Sequence, residues 1–144
     1  MAGLPVRNPD ERTQALILQA YSAFNQRDVD GVLGLMTESV NWPRASEGGR
    51  AIGKREIREY WARQWAEIDP RVEVLAMKDR GNGKTEVRVH QLVKNRRGEI
   101  LSDTEVLHVY TIQDNRIERM DIAGADGNTD GPSAAFGGGG TVLS

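Results

Sequence analysis

Two histidines, His90 and His108, are the side chains of this sequence best suited to moving a proton at neutral pH, because an unperturbed imidazole ionises near pH 6.5. They are the only histidines among the 144 residues, and they lie 18 positions apart. Each sits in a stretch where apolar and polar residues alternate, which is typical of a β-strand. The chain has no cysteine, so it has no thiolate nucleophile and no thiolate metal ligand. We expect acid/base chemistry at His108, with or without His90.

The face that His90 occupies depends on the turn between the two strands. A three-residue loop at Arg96-Arg97-Gly98 places His90 opposite Thr104 and puts both histidines on one face of the sheet. A four-residue loop places His90 on the opposite face of the sheet. Four other residues then face the interior: Val87, Val89, Gln91 and Val93. The sequence leaves both arrangements open for His90 and favours an inward His108.

One arginine and several aromatic side chains supply the other candidate contacts. Arg44 follows a Trp-Pro pair in a loop, where it either holds a carboxylate, enolate or phenolate oxygen by charge-assisted hydrogen bonds or stays solvated. The aromatic residues predicted to wall a flat apolar ligand are Trp42, Trp61, Trp65, Tyr110 and Tyr21. Core packing is the alternative, and it is favoured for Trp65 and Tyr21.

Metal and cofactor chemistry lack their usual motifs. Two histidines with Asp103 or Glu105 approximate a two-histidine, one-carboxylate site, but both carboxylates have the strand parity opposite to that of His108. No phosphate-binding loop, hydrolase elbow or dinucleotide fingerprint is present in the sequence. We therefore predict no metal and no cofactor.

The first half of the chain carries helical patterns. Asn8-Pro9-Asp10-Glu11 is typical of a helix start capped by Asn8, and a stripe of apolar residues continues to about Gln26. Asp28 is predicted to cap a second, shorter helix. Thr37 to Gly53 indicates a strand fragment and a loop, and a third helix is expected from Lys54 to Asp69, ended by Pro70.

After Pro70 the hydrophobic period changes from about 3.6 to 2. Four strands are predicted: Val72 to Lys78, Thr85 to Lys94, Ile100 to Ile112 and Arg116 to Ala123. The expected fold class is α+β, cone-like, with three N-terminal helices packed on a curved antiparallel sheet of four strands plus a short one.

Composition limits the classes of function. Hydrophobic residues make up 38% and charged residues 28%, with no apolar stretch near the roughly 20 residues of a membrane crossing. The net charge of −2 argues against a nucleic-acid partner. The N-terminus has no basic segment followed by an apolar run, so a cytoplasmic location is expected. We predict one domain over residues 1–123 and a flexible tail over 124–144, which holds 7 of the 16 glycines.

Three local segments carry a resemblance to a known family. They are Arg27-Asp28-Val29-Asp30, Ile52-Gly53-Lys54-Arg55-Glu56-Ile57 and the stretch from His108 to Ile117. In this order, from about Thr13 to Ala123, the chain resembles the nuclear transport factor 2-like fold of ketosteroid isomerase, scytalone dehydratase and the SnoaL-like polyketide cyclases. The resemblance implies a pocket between sheet and helices and a pairing of subunits through the outer sheet face. It does not fix the reaction.

The resemblance to ketosteroid isomerase is incomplete at its active site. His108, Trp61 and Met120 match pocket positions of that family. Ala20 stands where its oxyanion tyrosine is expected, and Arg44 where its proton-moving carboxylate is expected. Isomerisation of a steroid by that pair is therefore not implied.

The two other enzyme groups give partial matches as well. The strands Val89-His90-Gln91-Leu92 and Leu107-His108-Val109-Tyr110 look like the histidine-bearing strands of scytalone dehydratase, with Asn25 at the place of the carboxylate that orients a histidine. In the polyketide cyclases the carboxylate base corresponds to Ile122. Asp121 is one residue away, on the opposite face unless a bulge intervenes.

Two functions of different classes follow as expectations. The first is a cofactor-independent acid/base enzyme acting on a small hydrophobic cyclic substrate of polyketide or terpenoid type, with His108 as base or hydrogen-bond donor, oriented by Asn25, and Arg44 at the oxyanion. The second is a non-catalytic binding module with the same pocket. A homodimer through the sheet is also expected, because Val87, Val89 and Val93 or their neighbours cannot all lie under the helices.

Overall fold

A computed structural model of the chain describes residues 7–123. It contains three helices, α1 (Glu11–Asn25), α2 (Val29–Leu33) and α3 (Lys54–Glu67). Its strands are β1 (Met36–Pro43), β2 (Arg50–Ile52), β3 (Ile68–Gly81), β4 (Lys84–Asn95), β5 (Ile100–Gln113) and β6 (Arg116–Ala123). The predicted glycine-rich tail lies outside the described residues.

The strands form one six-stranded sheet in the order β2-β1-β6-β5-β4-β3. All neighbours are antiparallel except β1 and β6, which pair in parallel. The α+β class is therefore confirmed, whereas the predicted sheet was too small and wrongly all antiparallel. The difference arises at β1. Its three consecutive polar residues, Thr37 to Ser39, interrupt the alternation of apolar and polar residues by which a strand is recognised in a sequence.

The helix boundaries follow capping groups, with one correction. The carboxylate of Asp10 accepts a 2.8 Å hydrogen bond from the Thr13 backbone amide, so Asp10 rather than Asn8 caps α1. Asp28 caps α2 as predicted, accepting from the Gly31 amide at 3.0 Å. Each carboxylate satisfies a backbone donor that the first helical turn leaves unpaired.

Pro70 does not end α3, contrary to the prediction. The helix ends at Glu67, and Pro70 lies inside β3, paired with Val93. Because β3 is the last strand of the sheet, its outer edge makes no ladder bonds with another strand, and a proline without an N–H is tolerated there.

A β-bulge in the β4–β5 hairpin decides which residues face the helices. The loop has three residues, since the Asn95 amide donates to the Glu99 carbonyl at 2.9 Å. The register then shifts between the pair Val93 and Ser102 and the pair Lys94 and Ile100. One extra residue on β5 reverses the parity of everything beyond it, so His90 pairs with Glu105 instead of Thr104.

The core lies between the helices and one face of the sheet. Val87, Val89 and Val93 are fully buried, so it is their neighbours in β4, such as Arg88, that lie on the outer face of the sheet. No helix among residues 7–123 has the length and apolarity that a bilayer crossing requires. The same residues contain no group of three or more side chains placed to hold a metal ion.

Candidate functional site

An interior cavity lies under α1 and α3, against the sheet. Its walls are formed by Ala20, Tyr21, Phe24, Val32, Trp42, Trp61, Val72 and Tyr110. None of these side chains is charged. The space open to the centre of a water molecule is ≈ 10 Å³, about what a single water needs. The side chains thus nearly fill the cavity, and its wall is almost entirely aromatic and aliphatic.

Trp61 is the central ring of this wall. Its centroid lies 5.5 Å from that of Trp42, nearly perpendicular, and 5.4 Å from that of Phe24. Trp65 stacks on its other side at 5.5 Å with an interplanar angle of 22°. Trp42 reaches Tyr110 at 6.2 Å. Edge-to-face and stacked contacts of this kind stabilise the cluster beyond the area it buries.

A chain of three buried polar groups borders the cavity. The Tyr110 hydroxyl donates to the Tyr21 oxygen at 2.7 Å, and that oxygen lies 2.6 Å from Nδ1 of His108. Nδ1 either accepts the Tyr21 proton or donates its own, depending on the tautomer. Nε2 of His108 is buried with no hydrogen-bond partner among the described residues. His108 faces inward, as predicted, but behind the tyrosines that line the cavity.

Burial holds all three groups neutral. It lowers the pKa of His108 from 6.5 to about 3. Burial, with a contribution from Tyr110, raises the pKa of Tyr21 well above 10. Burial also raises the pKa of Tyr110, although the hydrogen bond to Tyr21 opposes that shift. Tyr110, Tyr21 and His108 therefore form a network of neutral hydrogen-bonding groups at physiological pH. Because its pKa is so low, His108 is a much weaker base than an exposed histidine.

Asn25 does not contact His108, contrary to the expectation. Its amide pairs with the backbone of Val72, donating to the carbonyl at 2.7 Å and accepting from the amide at 2.9 Å. These two hydrogen bonds tie the end of α1 to β3. Tyr21 occupies the orienting position instead. It precedes Asn25 by four residues, one helical turn, so the two share a helix face.

His90 lies on the opposite face of the sheet from the cavity. Its Nε2 is 2.5 Å from Oδ1 of Asp103, and the side chain is 35% exposed. The hydrogen bond to Asp103 raises the pKa of His90 despite partial desolvation. Of the two orientations that the sequence left open for His90, the structure has the outward one, because the bulge on β5 reverses the pairing of the two strands.

Three other predicted site residues do not line the cavity. Met120 is fully buried in the core on β6, opposite Tyr110. Trp65 is half-buried behind Trp61. Arg44 lies in the loop after β1, its guanidinium beside Gly49, with its Nε buried and without a partner among the described residues. Trp42, Trp61, Tyr110 and Tyr21 do line it.

The structure also shows where Asp121 and Ala20 lie, two of the positions at which the family resemblance was incomplete. Asp121 pairs across the ladder with Val109 and forms ion pairs with Arg50 at 3.2 Å and Arg119 at 2.9 Å. The register shift between β5 and β6 falls at Thr111 and Ile112, so no bulge brings Asp121 inward. Ala20 lines the cavity without a polar group, and the next residue, Tyr21, brings a hydroxyl to the wall.

Domains in which helices cover one face of a sheet around a small apolar cavity form a class of proteins. Such cavities are typical of sites for small molecules, and one fold of this kind can host many different reactions. Within that class, residues 17–120 match the family model for the SnoaL-like domain. The chain therefore belongs to the SnoaL-like family. No curated protein sequence matches it significantly.

Solved structures share the fold at low sequence identity. TerC, crystallised with polyporic acid, has a TM-score of 0.73 and 21% identity, covering 90% of this chain and 98% of that one. A protein from Mycobacterium tuberculosis in complex with estradiol-17beta-hemisuccinate has a TM-score of 0.69 and 14% identity, with coverages of 82% and 98%. A putative polyketide cyclase from Xanthomonas campestris pv. campestris has a TM-score of 0.67 and 16% identity, covering 78% of this chain and 89% of that one.

Proposed function

We propose that this protein is a cofactor-independent enzyme that isomerises, cyclises or dehydrates a small, flat, hydrophobic substrate bearing a carbonyl group. The observation that carries the proposal is the buried chain from Tyr110 through Tyr21 to His108, placed at an apolar cavity. The structural neighbours bound to polyporic acid and to an estradiol derivative, and those named polyketide cyclases, support a ligand of this kind.

Tyr21 is the group that would act on the substrate. With the Nδ1–H tautomer of His108, the Tyr21 oxygen receives hydrogen bonds from both Tyr110 and His108, and its own proton is left for a carbonyl oxygen in the cavity. Two donors to one phenol strengthen it as a donor, because hydrogen bonds in a chain polarise one another. Negative charge that develops on the carbonyl oxygen is then stabilised in a site without bulk water.

His108 serves this scheme as a positioning residue held in its neutral form. Its depressed pKa keeps it neutral, and in the Nδ1–H tautomer it donates to Tyr21. No carboxylate belongs to the cavity wall. The proton that leaves the substrate carbon therefore passes to another oxygen of the substrate or to water, which suits enolisation and intramolecular ring closure.

Exchange of the protons next to a ketone tests this proposal without knowledge of the natural product. The protein should accelerate the incorporation of deuterium from D2O into 2-tetralone, as followed by NMR. Tyr21→Phe should slow the catalysed exchange about tenfold to a hundredfold, because it removes one preorganised donor. Tyr60→Phe is the matched control, since Tyr60 is a buried tyrosine bonded to Ser46 and Gln64 and not part of the cavity wall.

A non-catalytic binding module is the second candidate function. It is favoured by the absence of any charged side chain from the cavity wall and by the neutral His108. Binding of 2-tetralone without any acceleration of exchange by the wild-type protein would replace the enzyme proposal by this one.

We also propose a homodimer through the outer face of the sheet. A groove of ≈ 400 Å³ on β3, β4 and β5 is bordered by Leu107 and by charges of both signs, including Arg88 and Glu105. The Arg88 and Glu105 side chains lie 3.9 Å apart and are more than half exposed. A second copy related by a two-fold axis would offer the same alternation of charge, so each arginine could meet a glutamate of its partner.

Light scattering at micromolar concentration should give the mass of a dimer. Leu107→Arg should give a monomer, since it places an unpaired charge in the centre of the contact. Leu18→Arg, an exposed position on α1, should remain dimeric. A monomeric mass for the wild-type protein would refute the assembly.

A further inference from the structure

Arg44 is a half-buried cation whose guanidinium has no hydrogen-bond partner among residues 7–123. It lies in the loop between β1 and β2, and its Nε is buried. Its two terminal nitrogens find no acceptor in that part of the chain either, and they remain open to solvent. A buried polar atom without a partner is rare in native proteins, and the cost is greater for a charged group than for a neutral one.

Other half-buried arginines of this protein do find acceptors. The guanidinium of Arg27 donates to the Asp69 carboxylate and to two backbone carbonyls. That of Arg50 likewise donates to the Asp121 carboxylate and to two backbone carbonyls. The fold therefore pairs guanidinium groups where they are structural, and the unpaired state of Arg44 points to an acceptor from outside the chain.

The carboxylate in the same loop, that of Glu47, is engaged by a different arginine. Arg63 of α3 donates to both oxygens of Glu47, at 2.7 and 2.8 Å. These hydrogen bonds lower the pKa of Glu47 against the opposing effect of burial, and the charge of Arg44 adds a smaller contribution. Two guanidinium groups thus surround one carboxylate, and the positive charge of Arg44 is the one left without a hydrogen-bonded counter-charge.

The backbone of the loop holds Arg44 in place. The Arg44 amide donates to the Gly49 carbonyl at 2.9 Å, and the Gly48 amide donates to the Arg44 carbonyl at 2.6 Å. Gly49 has a φ of +76°, and a Cβ there would lie 3.1 Å from an Nη of Arg44. The guanidinium therefore packs against the backbone, and an anion that binds it has little side-chain freedom to remove.

This loop adjoins the aromatic wall of the cavity. Arg44 follows Trp42, which lines the cavity, by two residues, so their Cα atoms lie within about 7 Å of each other. Burial raises the pKa of the Tyr60 hydroxyl on α3, and the charge of Arg44 is among the effects that oppose this shift. The guanidinium is thus close to α3, on the side of the sheet that the helices cover. A ligand whose ring contacts Trp42 can extend an acidic group to it.

We propose that Arg44 binds the carboxylate of a small-molecule acid, so that the natural ligand of the site is an anion. This inference rests on the proposed function for the ring-binding cavity, and it adds the charge of the ligand and the residue that recognises it. The two oxygens of a carboxylate accept from two nitrogens of one guanidinium in parallel. A phosphate would bring up to two negative charges to a single guanidinium, so a carboxylate is the better match.

A pair of probes that differ in charge but hardly in shape tests the inference: 2-naphthylacetate and 2-naphthylacetamide. Calorimetry at pH 7 and low ionic strength should give the acid an affinity about tenfold to a hundredfold above that of the amide, the range of a charge-assisted hydrogen bond. Added salt should reduce this preference, because the terminal nitrogens of Arg44 are open to solvent. Tighter binding of (2-naphthylmethyl)phosphonate than of the acid would overturn the assignment to carboxylates.

Variants assign the preference to Arg44. Arg44→Gln should bring the ratio of acid to amide affinity close to one, and Arg44→Lys should retain part of it, since lysine keeps the charge but not the planar fork. Arg63→Gln should also lower the ratio, because it releases Glu47 to pair with Arg44. Arg55→Gln is the matched control: Arg55 is also on α3, its side chain is 87% exposed, and its loss should leave the ratio unchanged.

The possible results separate this inference from the function on which it rests. Equal affinity of the wild-type protein for acid and amide, or a preference that survives Arg44→Gln, overturns the role of Arg44 and leaves a ring-binding cavity in place. Failure of every naphthyl probe to bind also overturns it. The deuterium exchange of 2-tetralone, a neutral ketone that needs no cation, decides the proposed function separately.

Discussion

Between pH 7 and pH 4, the wild-type protein should lose about 3 kcal/mol more of its free energy of unfolding than a His108→Gln variant loses. The unfolded chain binds a proton at His108 below pH 6.5, whereas burial keeps the folded residue unprotonated down to about pH 3. Each pH unit in that interval costs the folded state about 1.4 kcal/mol. The contribution of His108 is thus intact above pH 6.5 and declines as the pH falls toward 3.

Urea denaturation of both proteins at several pH values measures this difference, since glutamine cannot titrate and the carboxylates common to both proteins cancel. NMR of the two imidazoles provides an internal comparison. His90 should titrate above its usual value, because Asp103 stabilises its cation, while His108 should show no titration between pH 5 and pH 8. A His108 signal that titrates near pH 6.5, or parallel stability curves for the two proteins, would contradict the burial of a neutral imidazole.

Trp61→Ala should destabilise the protein by about 3–5 kcal/mol, the usual cost of truncating a buried tryptophan. Trp61 is fully buried and contacts the rings of Phe24, Trp42 and Trp65, so its loss opens a cavity at the centre of the aromatic cluster. That cost is a large share of the stability of a typical domain.

Chemical denaturation, followed by far-ultraviolet circular dichroism, measures this loss. Leu18→Ala is the control, because Leu18 is 49% exposed on α1 and its truncation should cost less than about 1 kcal/mol. Trp61→Phe should fall between the two and provides a folded variant if the alanine variant does not fold. A loss for Trp61→Ala no larger than that for Leu18→Ala would show that Trp61 is not central to the core.

The order of elements was predictable, because amphipathic helices and alternating strands leave local patterns. The boundaries of β6 and the start of α3 agree with the prediction. The parallel pairing of β1 with β6 was not predictable in this way. It joins residues near Met36 to residues near Ile117, about 80 positions away, and no local pattern records a contact at that distance.

The site was predicted in part. Tyr21, Trp42, Trp61 and Tyr110 were assigned to the wall and lie there. The orientation of His90 could not be predicted from the sequence, because it depends on a single extra residue in β5. The adjacent apolar residues Ile100 and Leu101, which interrupt the alternation, are the only local sign of that bulge. The Tyr21–His108 contact joins residues 87 positions apart, so it required the tertiary structure.

Because the cavity has room for only about one water molecule, a ring compound can occupy it only in molecules whose aromatic side chains have moved apart. Association then waits for that opening, and its rate levels off as ligand concentration rises. The observed dissociation constant equals the intrinsic one divided by the fraction of open molecules. With about one molecule in a hundred open, binding is about a hundredfold weaker than the open cavity alone would allow. Smaller side chains around Trp61 would therefore speed association even while they weaken the fold.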